Sequence, residues 1–236
     1  MTETITLGDI AIEVTRKAVS NVHLSVHPPD GRVTLVAPSE TRLEVARAYA
    51  VAKLGWIRDQ QEKLRNQARE TPRQYIERES HYLWGRSYLL SVEEQPERPG
   101  VKLDHNRIVL RVRPGADRAK RAEVMHAWHR CLLHEAVPPM IEKWERRLGV
   151  KVANYFLQRM KTKWGGCNPD SGTIRLNTEL VKKPKDLLEY IIVHEMVHLI
   201  EPTHNDRFMS ILDENYPAWR EARDELNALP LSDEQR

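Results

Sequence analysis

The sequence predicts an α+β fold, in which a β-rich N-terminal module with one long helix (residues 1–115) precedes a second domain (residues 116–230). Two observations predict this arrangement. In the first forty residues apolar side chains alternate with polar ones, which is the period of a half-buried strand. From Asp117 the apolar residues recur about every four positions, which is the period of a helix. The predicted boundary lies where the period changes.

The N-terminal module begins with three predicted strands and a helix. The strands carry alternating apolar residues at Ile10–Val14, Val22–Val26 and Val33–Ala37. Pro28-Pro29-Asp30-Gly31 between the last two predicts a hairpin with a long turn. Thr41-Arg-Leu-Glu44 matches a capping box, so a helix is predicted from about Thr41 into the region of Lys63. Its predicted apolar face consists of Val45, Ala48, Tyr49, Ala52, Trp56 and Ile57.

Beyond a polar linker, Asn66 to Arg73, further strands are predicted at Tyr88–Val92, Val101–Leu103 and Ile108–Val112. A long helix follows, kinked at Pro138-Pro139 because proline nitrogens carry no hydrogen. Its apolar residues are spaced by four and comprise Val124, Trp128, Leu132, Ala136, Met140, Trp144 and Leu148. The later elements are strands at Tyr155–Met160 and Thr173–Leu176 and helices that open at Pro184 and near Pro217. No internal repeat is evident in the residues.

Composition narrows the class of protein. Hydrophobic residues make up 40% of the 236 residues and charged residues 30%, which is typical of a globular protein. The formal net charge of +3 is too small to indicate a nucleic-acid partner by itself. Two cysteines indicate no disulfide framework, and no secretory signal or run of roughly 18 apolar residues is present. We therefore expect a cytoplasmic protein with no membrane partner.

The pattern H-E-x-x-H, with ends at His194 and His198, carries the clearest chemistry. It lies in an apolar segment of helical spacing that Pro184 opens. Four helical residues turn by about 400° and rise by about 6 Å, so both imidazoles can reach one ion. Zinc prefers such nitrogen ligands, and a catalytic zinc site keeps one position open for water. The alternative is a chance match on a buried helix, but two histidines are costly to bury without partners.

Glu195 follows the first of these histidines, where its carboxylate can meet a metal-activated water without binding the metal. It can take a proton from that water and return it to a leaving nitrogen. A third ligand is expected further on. Glu201 precedes Pro202, so the helix should end near Ile200 and bring His204 back towards the site. The rival third ligands on the helices that follow are Asp213, Glu214 and Glu221.

Several segments resemble the YgjP-like metallopeptidases. The specific ones are Lys161-Thr-Lys-Trp164-Gly-Gly-Cys167, Gly172-Thr-Ile-Arg-Leu-Asn177, Tyr190-Ile-Ile-Val-His-Glu-Met-Val-His198 and His204-Asn-Asp-Arg-Phe208. Weaker likeness extends to Trp56-Ile57 and Leu83-Trp-Gly-Arg-Ser-Tyr-Leu-Leu90, so the resemblance covers most of the chain. Members of this family are predicted zinc peptidases of the zincin class. They share general features with SprT and Wss1 proteases, which act on DNA–protein crosslinks.

The resemblance implies a minimal zincin-like metallopeptidase domain over residues 116–230, with a peptide or protein as substrate. It implies zinc ligands at His194, His198 and His204 and a catalytic base at Glu195. Zincins usually place an edge strand beside the active-site helix, and Thr173–Asn177 is the candidate for it, with a plain core strand as the alternative. The family often has serine where this chain has Gly166, so no role of that hydroxyl is carried over.

Two functions compete with a peptidase. One is a metal-containing binding module, associated with nucleic acid through the N-terminal half, and the other is a hydrolase of a non-peptide amide. Glu195 disfavours the first, because a structural zinc site has no use for a carboxylate there and needs a fourth Cys or His. A second metal site at His126, His129, Cys131 and His134 is disfavoured by spacing. Cys167 is interpreted as a small buried apolar residue rather than a redox ligand.

Overall fold

A computed structural model describes residues 2–27, 31–66 and 72–229 of the chain, which form two compact units that divide between Arg69 and Glu70. The α+β class is confirmed. The boundary predicted after residue 115 lies inside the second unit. There, residues of the preceding sheet such as Ile108 and Leu110 share one core with Met125 of the long helix. Packing contacts therefore join the residues on both sides of position 115, although the hydrophobic period of the sequence changes there.

The first unit is a sheet followed by two helices. Its elements are β1 (Thr2–Leu7), β2 (Ile10–Lys17), β3 (His23–His27), β4 (Arg32–Pro38), α1 (Leu43–Ala52) and α2 (Leu54–Asn66). The strand order is β1-β2-β4-β3, with β2 and β4 parallel and the two hairpins antiparallel. The three predicted strands are present, and β1 is additional. Residues 28–30 of the predicted hairpin turn lie outside the described residues.

The predicted single helix of this unit is two helices that divide at Lys53. Arg42 is the N-cap and its side chain makes no capping hydrogen bond, so the predicted capping box does not form. The buried helical residues are Ala46, Ala50 and Ile57, whereas Val45 and Trp56 of the predicted apolar face are 57% and 42% exposed. The buried residues of α1 are both alanines, whose small side chains let a helix approach its neighbours closely, and the partly buried Leu43 and Tyr49 also pack against this core.

The second unit opens with a sheet of the same topology as the first. It contains β5 (Ser80–Leu83), β6 (Arg86–Glu94), β7 (Gly100–Asp104) and β8 (Arg107–Val112), in the order β5-β6-β8-β7. Again the central pair is parallel and both hairpins are antiparallel, and again a helix follows. The chain thus repeats a hairpin–crossover–hairpin arrangement that the sequence analysis did not detect. The repeated features are the strand order and the alternation of apolar and polar residues along each strand, and different residues can satisfy both.

Helix α3 (Arg118–Leu148) is the longest element and continues through Pro138 and Pro139. Asp117 caps its start by accepting a hydrogen bond from the Lys120 amide, and Gly149 ends it at φ 68°. Its buried residues are Met125, His129, Leu133, Val137, Ile141 and Trp144. Most of this stripe is one position away from the predicted one, whose members other than Trp144 are only partly buried beside the core. His129 in the buried stripe made the neighbouring stripe look more apolar in the sequence.

The remaining elements surround one helix, α4 (Lys185–Val197). They are β9 (Asn154–Gln158), β10 (Gly165–Asn168), β11 (Thr173–Asn177), a 3₁₀ helix (Thr178–Lys182), α5 (Asp206–Asn215) and α6 (Trp219–Ala228). The sheet order is β10-β11-β9, so β11 is central, antiparallel to β10 and parallel to β9. Helix α4 packs on β10, β11, α3 and α6. Across the three described stretches of chain, no helix is long and apolar enough to cross a membrane.

The turn between β5 and β6 is attached to the segment that precedes α4. The Trp84 amide donates a hydrogen bond to the Val181 carbonyl at 2.8 Å, and the Gly85 amide donates to the Lys182 carbonyl at 3.2 Å. Gly85 has a φ of +78°, and a Cβ there would lie 2.8 Å from Cγ of Pro184. Only glycine fits both the left-handed backbone and the close approach. This attachment joins the second sheet to the helix that carries the predicted site.

Candidate metal centre

Helix α4 carries three of the four predicted site residues, His194, Glu195 and His198. It begins after Pro184 and ends at Val197, with His198 as its C-cap. The predicted end near Ile200 is three residues late, because the chain tightens into shorter-range hydrogen bonds beyond the helix. Most of the helix surface is buried, so its position is determined by packing. The two histidines remain one helical turn apart.

A hydrogen-bonded turn returns the chain from α4 to the site. The Glu201 carboxylate accepts hydrogen bonds from the amide and hydroxyl of Thr203, at 3.3 and 2.9 Å. The Asn205 amide group donates to the Thr203 hydroxyl at 3.1 Å. Its oxygen caps α5 by accepting from the Phe208 amide at 3.0 Å. These local bonds determine the path of the turn that carries His204.

The structure brings His194, His198 and His204 together. One ring nitrogen from each lies within 4.8 Å of the others, and Nε2 of His194 is 3.1 Å from Nε2 of His204. Among residues 2–27, 31–66 and 72–229 this is the one such group of three potential ligands. The rival ligands are not part of it. Asp213 instead pairs with Arg220 and accepts a hydrogen bond from the Trp219 indole at 2.8 Å.

The orientation of the imidazoles is determined by their neighbours. His198 donates from Nδ1 to the Glu201 carbonyl at 3.2 Å, which leaves Nε2 free as a ligand. Phe208 is 1% exposed, and its ring centroid lies 4.7 to 5.1 Å from those of all three histidines. Sequence reasoning gave Phe208 no role, although it belongs to the segment quoted for the family resemblance. Its ring is the floor of the histidine cluster.

Burial keeps two of these histidines neutral. It lowers the pKa of His194 to about 3, with smaller contributions from the neighbouring His198 and His204. The pKa of His198 is also lowered, mainly by burial. Nδ1 of His194 is buried, and in the part of the chain that the structure describes it has no hydrogen-bond partner. Neutral imidazoles keep their lone pairs available, so His194 and His198 can bind a divalent metal without first losing protons.

Glu195 lies against the backbone of β10. Its side chain is buried, which raises its pKa to about 8, while the positive charge of Lys163 acts in the opposite direction. A Cβ added to Gly165 would lie 2.5 Å from Oε1 of Glu195, whereas one added to Gly166 would meet nothing within 4 Å. The first glycine of the Trp-Gly-Gly segment therefore makes room for the carboxylate. Sequence reasoning did not assign this contact.

The family model for the YgjP-like metallopeptidase domain matches residues 21–229. The chain belongs to the YgjP-like metallopeptidase family. No curated protein matches the sequence. Among solved structures, the metallopeptidase zymogen abylysin of Pyrococcus abyssi matches with 22% identity and a TM-score of 0.35, over 37% of this chain and 89% of its own. The zymogen jannalysin of Methanocaldococcus jannaschii matches with 23% identity and a TM-score of 0.34, over 37% and 90%.

In this family member the edge strand beside α4 is β10. The prediction that Thr173–Asn177 lines the cleft as an edge strand is wrong, because both edges of β11 are paired. The outer edge of β10 has no pairing partner in the described chain. Cys167 on this strand is half-buried against the core, and burial raises the pKa of its thiol to about 11.

The histidines and cysteine of α3 are dispersed. Cys131 is exposed, whereas His129 is buried in the core-facing stripe. Nδ1 of His134 pairs with the Tyr155 hydroxyl at 2.9 Å, and Nε2 of His126 lies 3.4 Å from the Tyr75 hydroxyl. None of these residues belongs to a three-ligand group within the described stretches. This agrees with the packed helix face favoured by their spacing.

The low pKa of His194 predicts how the stability of the metal-free protein depends on pH. An unfolded imidazole titrates near 6.5, so between about pH 3 and 6.5 the unfolded chain binds more protons at this residue. The free energy of unfolding therefore falls as pH falls through that window. Urea unfolding of chelator-treated protein measures how much the free energy of unfolding decreases from pH 7 to pH 5. This decrease should be smaller in His194→Gln than in the parent by about 1–2 kcal/mol. An equal decrease in the parent and the variant would contradict the low pKa of His194.

Proposed function

We propose that this protein is a zinc-dependent peptidase in which His194, His198 and His204 hold the metal and Glu195 is the general base. The observation that carries the proposal is the convergence of three imidazole nitrogens beside a buried carboxylate. Membership of a metallopeptidase family supports peptide or protein substrates. Each role follows from where the side chain lies and from what burial does to its charge.

The donor set fits zinc. Zinc binds imidazole nitrogens at 2.0–2.1 Å, so two ligands of a tetrahedral site lie about 3.4 Å apart. The 3.1 Å between the Nε2 atoms of His194 and His204 is close to that separation. Three protein ligands leave one position open, which is typical of catalytic zinc and not of structural zinc. Cys167 does not belong to the ligand group, so the set is not closed by a thiolate.

The chain's own residues then account for proton transfer. A bound zinc supplies Lewis acidity, which polarises a carbonyl and lowers the pKa of water towards 7. Glu195 takes the proton from the attacking water and delivers it to the leaving nitrogen of the peptide bond. Positive charge held beside this carboxylate lowers its pKa below the value of about 8 in the metal-free chain. Glu195 therefore ionises more readily, and is better able to act as a base, when the histidines are loaded.

The free edge of β10 is the proposed binding surface for substrate. An extended peptide can pair its main chain with an unpaired strand, which gives affinity with little dependence on side chains. β10 packs on α4, and the backbone of its first residue, Gly165, contacts Glu195. A peptide that pairs with this strand is thereby brought close to the general base.

Replacement of Glu195 separates catalysis from metal binding. Glu195→Gln keeps the size of the side chain but removes the base. We expect zinc content close to that of the parent, a change in unfolding free energy within about 1 kcal/mol, and hydrolysis reduced by a factor of roughly 10² or more. The assay is cleavage of an unfolded protein followed by mass spectrometry, with zinc measured on the same samples.

His194→Ala is the matched comparison, because it should lose zinc and activity together. Glu195→Gln that cleaves as fast as the parent would exclude the proposed base. If the zinc-loaded parent cleaves no peptide library, the binding-module function is favoured. Cleavage of small amides without cleavage of peptides would indicate an amide hydrolase instead.

The third ligand is tested by a second set of variants. His204→Ala should weaken zinc binding strongly, because it removes one of three nitrogen donors. Glu214→Ala and Glu221→Ala should leave affinity unchanged, since neither carboxylate belongs to the ligand group. Competition with a chelator measures the affinities. Loss of zinc from one of the acid variants, together with retention in His204→Ala, would show that His204 is misassigned.

Adjacent glycines provide a matched pair for the contact between β10 and the base. Gly165→Ala places a methyl group 2.5 Å from the Glu195 carboxylate and should reduce hydrolysis by roughly 10². The added methyl group of Gly166→Ala points into open space, so this substitution should change the rate of hydrolysis less than about threefold. Steady-state kinetics at saturating zinc compares the two. Equal effects of both substitutions would show that the approach of Gly165 to Glu195 is not required.

A further inference from the structure

Asn177 is a fully buried polar residue at the end of β11, outside the metal cluster. Its amide nitrogen donates hydrogen bonds to the carbonyls of Met160 and Lys163, at 2.9 and 2.7 Å. Its side-chain oxygen accepts from the amides of Met160 and Glu179, at 3.4 and 3.1 Å. One side chain therefore holds both ends of the segment from Met160 to Lys163.

The amide group of asparagine matches this environment in a way that similar residues do not. It offers two donors and an acceptor oxygen with two lone pairs, and all four are used here. Aspartate has the same shape but no donors, so it would place negative charge against two carbonyls. Leucine keeps the branch at Cγ and the number of side-chain heavy atoms, but it is larger and would leave those carbonyls without a partner. Either change removes the hydrogen bonds that hold the segment while keeping the branched shape of the side chain, and aspartate also keeps its volume.

The segment that Asn177 holds leads directly into the proposed active site. Lys161, Thr162 and Lys163 are exposed, so they contribute little packing of their own. The backbone amide of Asn177 also donates to the Trp164 carbonyl at 2.9 Å. The next residue is Gly165, the first of β10, whose backbone approaches Glu195. Hydrogen bonds from Asn177 thus hold the segment that leads into the start of β10.

We propose that Asn177 is a positioning residue of the catalytic site, which holds the segment from Met160 to Lys163 so that Gly165 lies against Glu195. Its hydrogen bonds go to Met160, Lys163, Trp164 and Glu179, which are neither proposed ligands nor the proposed base. It acts through the backbone of β10. One side of this backbone lies against the Glu195 carboxylate, and its outer edge is the proposed substrate-binding edge. This inference rests on the proposed function, since it assigns Asn177 to the same reaction.

The test compares Asn177→Asp and Asn177→Leu with Thr173→Val in the full chain. Thr173 is a suitable control because it lies on the same strand, is 8% exposed, and makes one side-chain hydrogen bond, to the Ser171 carbonyl at 3.3 Å. It sits at the other end of β11, away from Glu195, opposite Asn168. A general loss of strand stability should affect all three variants, whereas a loss of positioning should affect only those at Asn177.

Two measurements are made on each variant at a temperature where all are folded. The first is kcat and KM for a peptide, normalised to bound zinc. The second is the rate at which iodoacetamide alkylates Cys167, with the exposed Cys131 as internal reference. Cys167 lies on β10, so its alkylation reports whether that strand has moved away from α4, and it does so without requiring hydrolysis.

We expect both Asn177 variants to retain zinc, to lose roughly 10- to 100-fold in kcat, and to alkylate Cys167 about tenfold faster. Thr173→Val should match the parent in both measurements. Unchanged kcat per zinc, or a loss no larger than that of Thr173→Val, would overturn the inference. So would a loss explained entirely by missing zinc.

Failure of the proposed function gives a different result. A zinc-loaded parent that cleaves no peptide overturns the peptidase and leaves alkylation as the measurement for Asn177. In that case, alkylation of Cys167 that is faster in the Asn177 variants but not in Thr173→Val supports the role of Asn177 in placing β10. An unchanged alkylation rate overturns it.

Discussion

The burial of helix α4 is the constraint on which the rest of the site depends. Apolar residues on several sides of this helix, among them Leu187, Leu188 and Val193, are completely buried, so the helix has no solvent-facing side along much of its length. Polar residues placed on it share that environment. Desolvation lowers the pKa of His194 and raises that of Glu195, which makes His194 a neutral donor and the carboxylate sensitive to nearby positive charge. The chemistry of the site is therefore a consequence of packing.

The part of the site that sequence reasoning could predict is the part determined by local geometry. Helical spacing brings His194 and His198 to one face, and the proline after Glu201 turns the chain so that His204 joins them. No role was predicted for Gly165, Phe208 or Asn177, because their roles depend on contacts with residues that are distant in the sequence. The sequence shows a glycine, an aromatic residue and an asparagine in a family segment, but not which atoms lie opposite them.

The same distinction applies to the fold. Most strands were predictable because alternation is a local property, whereas helix faces were displaced when a more apolar stripe lay beside the buried one. The predicted domain boundary differs from the division between the two compact units for a different reason. The Trp84–Gly85 turn is bonded to the segment before α4, and Ile108 packs in the same core as α3. A change in hydrophobic period marks where one kind of element gives way to another, and does not show which elements share a core.

The three histidines are held with unequal rigidity. His194 and His198 belong to a helix embedded in the core, while His204 is exposed on a turn held by side-chain hydrogen bonds among Glu201, Thr203 and Asn205. Such a turn can open without the helix unfolding. Metal exchange at the proposed centre should therefore begin with release of His204. The residence time of the ion would then depend on how often the turn opens, and the global stability of the protein would have little influence on it.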